Sequence, residues 1–195
     1  MENNLKALII TRKTGQEQFL FENKPLNLTL MNFWQWLGSD LTNNAFRGMI
    51  AEFIVACALG LEKGTRTEWD AYDLISAEGV KIEVKSSAYL QSWHQDRFSI
   101  VEFTICPTKG WEASSNIYHP ERKRQADIYI FCLLKHLDKS TLNPLDLDQW
   151  EFYILPTSIL NAKVPIQKKI RLNSLLKLNP LKTNFDGIKE AINNF

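Results

Sequence analysis

Cysteine is scarce in this chain of 195 residues, and its three copies fit neither a metal-ligand spacing nor a disulfide framework. Cys57, Cys106 and Cys132 each lie inside an apolar run, which reads as small core side chains in a reducing compartment. Histidine is equally sparse, and His94, His119 and His136 share no helix or strand spacing, so none reads as a ligand. No apolar run reaches the ~18 residues of a membrane helix, and signal-peptide and lipidation patterns are missing as well. These absences point away from a secreted scaffold, a zinc module and a membrane protein, and lead us to expect a soluble cytoplasmic one. An excess of one charge is also missing, since 23 Lys and Arg stand against 22 Asp and Glu. That balance argues against coating nucleic acid by bulk charge and leaves room only for a local basic groove.

What is present suits one domain with a substantial core, at 45% hydrophobic and 23% charged residues. No internal repeat or low-complexity segment divides it. The expected organisation is a core over residues 43–155, an N-terminal extension over 1–42 packed on it, and a C-terminal helical extension over 156–195. Leu5–Thr11 reads as a strand outside the core. Leu28 to Leu41 carries Leu28, Leu30, Met31, Phe33, Trp34, Trp36 and Leu37, dense enough for an amphipathic helix packed into the core, ended by Gly38-Ser39-Asp40. A ligand surface is the alternative use of these aromatics.

The stretch Asp73–Lys85 holds the chemistry. A turn over Ala77, Glu78 and Gly79 folds it into a hairpin, with Gly79 at the left-handed position of a three-residue loop. Ser76 then faces Val80, Ile75 faces Lys81, and Asp73 faces Glu83. Val80, Ile82 and Val84 point to one side; Lys81, Glu83 and Lys85 point to the other. Like charges directly opposite destabilise a hairpin unless they share a proton or hold a cation. Mg²⁺ is commonly held by one or two carboxylates with water and phosphate around it. Lys85, two residues beyond Glu83 on the same face, reaches whatever the acids hold. Asp70 rivals Asp73 but precedes the paired segment, so it is placed at the edge of the site.

A helix over Asn43–Gly60 precedes the hairpin, capped by Asn43 or Asn44 and closed by Gly60. Phe46, Met49, Ile50, Phe53, Ile54 and Cys57 fall on its expected core face. Glu52 is the only charge between Gly48 and Leu61. A carboxylate on a buried helix needs a partner, either Arg47 or a lysine elsewhere, or else it points at the hairpin site.

Asp73, then Glu83-Val84-Lys85 on a hairpin, resembles the PD-(D/E)xK, or restriction-endonuclease-like, nuclease superfamily. Arg47-Gly-x-x-Ala51-Glu52 resembles the glutamate-bearing first core helix of several of its subgroups. Tyr72 stands where the motif usually has Pro, and the Q-x-x-x-Y motif of one large subgroup is absent. The resemblance covers residues 43–155. It implies an α/β fold, with a mixed central sheet flanked by helices, and Mg²⁺-dependent hydrolysis of phosphodiesters in DNA, with Mn²⁺ as substitute. It also implies that Asp73, Glu83 and the Val84 carbonyl hold the metal, that Glu52 supports it, and that Lys85 acts on the water or the developing charge.

Further along, Ser86 and Ser87 are candidates to hold phosphate or metal waters, or they merely end the strand. Gln91 resembles a site glutamine of some family members, and Trp93 is a stacking candidate. Phe98–Ile105, Ala126–Leu134 and Trp150–Leu155 read as strands, the second central. Between them, Pro107–Pro120 reads as a long loop whose Lys109, Trp111, Tyr118 and His119, with Arg122, Lys123 and Arg124 after it, suit an edge facing nucleic acid. Asp127 is read as orienting a basic side chain nearby. Lys163, Lys168, Lys169 and Arg171 form a basic stretch read as a solvated face. The expected partners are nucleic acid and a second copy of the chain in a homodimer. The alternative function is a catalytically inactive nucleic-acid-binding or assembly subunit; a small-molecule metal hydrolase would need a closed pocket instead.

Overall fold

A computed structural model describes residues 7–66, 71–112 and 116–195. In chain order, strands β1 (Gln18–Phe21) and β2 (Lys24–Thr29) form a hairpin of their own and lead into helix α1 (Leu30–Gly38). Helix α2 (Asn44–Leu59) follows, then strands β3 (Leu74–Ile75) and β4 (Lys81–Ala88). Strand β5 (Glu102–Thr104) is short, and β6 (Thr108–Glu112) and β7 (Ile117–Lys123) form a second separate hairpin. Strands β8 (Ile128–Leu134) and β9 (Trp150–Pro156) precede α3 (Thr157–Lys163). The chain closes with β10 (Lys169–Arg171), α4 (Leu172–Leu176), β11 (Leu181–Thr183) and α5 (Ile188–Asn193).

The centre is an α/β arrangement, a five-stranded mixed sheet in the order β11-β9-β8-β4-β3 flanked by helices. Only β4 and β8 run parallel, and the other pairs are antiparallel. All seven residues of β8 are buried, as its unbroken apolar run demands of a strand covered on both faces. Ile128, Ile130, Cys132 and Leu134 join Ile82, Val84 and the helices α2 and α5 in one core layer. Tyr129, Phe131 and Leu133 face a second layer built on Phe103, Leu160, Ile170 and Leu175.

Helix α2 is bounded as its sequence dictates. The Asn43 carboxamide accepts the amides of Ala45 and Phe46, and Gly60 adopts φ 73° as it closes the last turn. Its buried stripe is Arg47, Ala51, Ile54, Val55 and Ala56, whereas Met49 and Phe53 are exposed. Of the expected core face, Ile54 is buried, Ile50 packs against the core and Phe46 and Cys57 are half-buried, so the correction falls on Met49 and Phe53. Ala51, Ile54 and Val55 enter the core layer beside Ile82 and Val84 of β4.

Four other expectations change. Of Leu5–Thr11, residues 7–11 form no strand, and residues 5 and 6 lie outside the described residues. Helix α1 buries none of its residues, so the aromatic-rich run is not core. Within Phe98–Ile105 only β5 forms, and it pairs with β10 rather than with the central sheet. The residues after 155 are not purely helical, because β11 adds an edge strand to the main sheet and Ile188, Ala191 and Ile192 enter the core. No helix among the described residues is long and apolar enough to cross a membrane.

Candidate active site

The hairpin turn forms where its residues require it. Gly79 sits at φ 86°, and the amides of Gly79 and Ser76 close the loop onto the carbonyls of Ser76 and Val80. Ile75 pairs with Lys81 and Leu74 with Ile82, and the Asp73 amide donates to the Ile82 carbonyl at 3.0 Å. Regular pairing stops there. The Asp73 carboxylate takes over from the missing backbone and accepts the Val84 amide at 2.7 Å. Val84 and Ile82 are buried against α2, so Glu83 and Lys85 project from the opposite face, beside Tyr129 and Phe131 of β8.

Asp73, Glu83 and Lys85 converge at this point. Lys85 Nζ lies 2.6 Å from Glu83 Oε1 and 3.9 Å from Asp73 Oδ2. The three side chains keep only 19–27% of their surface exposed. Burial, and then the neighbouring Glu83, raise the Asp73 pKa to about 6; Lys85 and the Val84 amide only partly offset this. Burial pulls Lys85 down, yet Glu83 and Asp73 outweigh it and the ammonium is held more firmly than usual. Asp70 lies outside the described residues.

Glu52 is only 16% exposed along its side chain, and its partner is Arg66, which grips it with two bonds, Nη2 to Oε1 at 3.1 Å and Nε to Oε2. Among the described residues neither Arg47 nor a lysine makes that pair. Glu52 is nonetheless close enough to raise the Asp73 pKa, and both acids line one pocket of about 370 Å³ with Met49, Phe53 and Tyr72. Arg47 is buried and has a different task. Its guanidinium donates to Ser86 Oγ (3.2 Å), Gln91 Oε1 (3.1 Å), Asn44 Oδ1 (2.7 Å) and the Thr42 carbonyl (3.1 Å). Burial without an acidic partner lowers its pKa to about 10.

On the other side of Asp73 lies a cleft of about 600 Å³, lined by Ala71, Asp73, Glu83, Thr108, Lys109, Trp111 and Tyr118. The segment expected as a long loop is thus largely the β6–β7 hairpin, overhanging the acids. Trp111 and Tyr118 face each other across it, with ring centroids 6.2 Å apart. Lys109 and Arg122 are direct cross-strand partners, both exposed, as is Lys123. Like charges so placed repel, the mirror image of Asp73 facing Glu83.

The remaining expected contacts fall elsewhere. Arg124 is buried, and its guanidinium is committed to Asn161 and to the carbonyls of Ile105 and Val164, so it faces the interior and not the cleft. Gln91 is buried between Arg47 and Ser99, Ser86 is taken by Arg47, and Ser87 is buried. Trp93 is exposed. Asp127 ties the starts of β4 and β8 together by accepting the Lys81 amide at 2.9 Å. Sequence reasoning missed Arg66 as the partner of Glu52, since nothing in a polar connector signals which distant carboxylate it meets.

Among the described residues no group of three or more His, Cys, Asp or Glu side chains forms a ready metal cage. The acids that converge are two, Asp73 and Glu83, with Lys85 beside both. With this geometry in view, the family comparison is decisive: the model of the bacteriophage T4 endonuclease IV family matches residues 4–173. The chain belongs to that endonuclease family. It is therefore a nuclease, a phosphodiester hydrolase whose substrate is nucleic acid. The matched span includes the whole Glu52–Asp73–Glu83–Lys85 set and the β6–β7 hairpin. No curated protein gives a significant match.

Proposed function

We propose that the protein is a divalent-metal-dependent deoxyribonuclease of PD-(D/E)xK type, with Asp73, Glu83 and Lys85 as its reacting centre. The observation that carries this reading is the meeting of those three side chains at the end of the hairpin pairing, under the cationic and aromatic wall of β6–β7. Two carboxylates facing one another, one with its pKa raised to about 6, form a donor set suited to a hard cation. In a strand, a residue's N–H and C=O project to the same edge. Because the Val84 amide is taken by the Asp73 carboxylate, the Val84 carbonyl opens toward the same place. Asp73, Glu83 and this carbonyl fit Mg²⁺ or Mn²⁺, and Glu52, neighbouring Asp73, supports the charge balance with Arg66.

A bound divalent ion supplies an acidified water and neutralises charge on the phosphate. The chain does the rest. Lysines and arginine on β6–β7 hold the backbone, and Lys109 and Arg122 lose their mutual repulsion when a phosphate lies between them. Trp111 and Tyr118 wall the cleft with flat rings for nucleobases. Lys85, kept as an ammonium by its two acids, stabilises the charge that builds on the phosphate oxygens as water oxygen bonds to phosphorus and the ester bond breaks. DNA is preferred over RNA on the resemblance to the PD-(D/E)xK enzymes.

The test is cleavage of matched DNA and RNA substrates in Mg²⁺, Mn²⁺ and chelator by the parent protein and Glu83→Gln. Metal-dependent cutting of DNA, lost in the variant, is expected. Cutting that continues in chelator, or a fully active Glu83→Gln, would remove the site from consideration.

A further inference from the structure

We propose that residues 7–38 are the contact arm of a homodimer, covered in solution by the same segment of a second copy of this chain. Three features of the arm lead there. First, Leu8, Ile9 and Ile10, a β-prone run, have no strand partner among the described residues and are 84%, 92% and 67% exposed. Second, the β1–β2 hairpin is uncovered on both faces, since every residue from Gln18 to Leu28 is exposed. A lone two-stranded hairpin is only marginally stable in water. Third, α1 has no charged residue and no buried one. Its Phe33, Trp36 and Leu37 share one helical face and stand in solvent, Trp36 at 81%.

The extent of this surface identifies the occupant. Thirteen of the twenty-seven exposed large apolar side chains among the described residues lie between Leu8 and Leu37. Summed over the run, both faces of the hairpin and the helix, they present on the order of 1,000 Å² of apolar area. A standard interface needs about 800 Å² per partner, and homodimer interfaces are the more apolar kind. So large an apolar area needs cover as soon as the chain folds, and a second copy is the partner always present in equal amount. Charge agrees, because Arg12, Lys13 and Lys24 against Glu17 and Glu22 leave the arm nearly neutral and free of self-repulsion. A lipid surface would call for Lys or Arg along the polar side of the helix, and α1 offers none. Isologous pairing about a two-fold axis closes such a contact and leaves no arm uncovered.

Sedimentation of the full chain should show a species of twice the 22.6 kDa chain mass. Phe33→Asp with Trp36→Asp should shift it to monomer while circular dichroism keeps the folded signal. Ile166→Asp, also at a highly exposed apolar position but outside the arm, should leave the dimer intact. Hydrogen exchange of the parent protein is independent of whether the double variant folds. Amides of residues 8–38 should be protected at high protein concentration and lose protection on dilution. A parent chain that sediments as monomer overturns the proposal, whether or not it binds phosphatidylcholine–phosphatidylserine vesicles. So does a folded double variant that remains dimeric, or protection unaffected by dilution.

Discussion

The central sheet and the N-terminal arm are both rich in large apolar residues, and they use them in opposite ways. In β8 every residue is buried, and the apolar surface disappears into two layers of the same chain. In α1 nothing is buried, although its sequence is as aromatic as any in the protein. The difference lies in what covers each element. Strand β8 has neighbours on both edges and helices or strands on both faces, whereas α1 meets little beyond its own hairpin and the start of α2. Polar chemistry follows the same division. The charges of the proposed reacting centre, Asp73, Glu83 and Lys85, sit where the buried sheet runs out of pairing partners, and the arm carries no comparable cluster.

The contrast is most sharply tested at Lys85. Lys85→Met keeps the side-chain length and both carboxylates but removes the ammonium. Single-turnover cleavage by the folded protein should fall by at least about 10²-fold, while nucleic-acid binding stays near its parental value; in metal-free buffer the two acids lose their cation and the melting point falls. A folded variant cutting at the parental rate would break the link between the buried sheet edge and catalysis.

Next comes Arg47, the buried cation between α2 and β4. Arg47→Met preserves much of the stem but strands Ser86, Gln91, Asn44 and the Thr42 carbonyl, and unfolding stability should drop by about 2–4 kcal/mol. Denaturant titration measures it. A loss below 0.5 kcal/mol, within the range of ordinary surface changes, would show that α2 does not need this anchor against β4.

A smaller effect is expected at Asp73 in metal-free buffer. Its pKa is raised in the fold, so the protonated form is favoured there, and the stability this contributes is present at low pH. That contribution is lost as pH rises from about 4, the unfolded value, through about 6, the folded one. Asp73→Asn removes the charge and keeps an acceptor for the Val84 amide. At pH 7 without metal it should melt a few degrees above the parent, and the parental decline between pH 4 and 6 should flatten. Identical pH profiles would mean that the two acids do not strain the hairpin.

The smallest effect belongs to the wall of the cleft. Lys109→Ala and Arg122→Ala should each lower the log–log salt slope of binding by about 0.7–0.9, and Arg124, turned inward, serves as no phosphate contact. Unchanged slopes in both variants would move the nucleic-acid path away from β6–β7, with the basic stretch Lys163–Arg171 as the next surface to test.

Local rules determined much of this protein. The caps of α2, the turn at Gly79, the register that sets Asp73 against Glu83, and the buried run of β8 depend on neighbours in the chain and were legible in it. So was the resemblance of Asp73, Glu83 and Lys85 to a nuclease motif, which the endonuclease family match supports at the level of reaction class. Tertiary structure decided the rest, because partners distant in sequence choose one another by packing. It joined Glu52 to Arg66, turned Arg124 and Gln91 inward, made a hairpin wall of what reads as a loop, and rotated α2 so that Ala51, Ile54 and Val55, and not Phe53, enter the core beside β4. It also left α1 in solvent. Apolar periodicity measures only how much a face gains by being covered, whereas whether the covering surface belongs to the same chain depends on where every other element has gone.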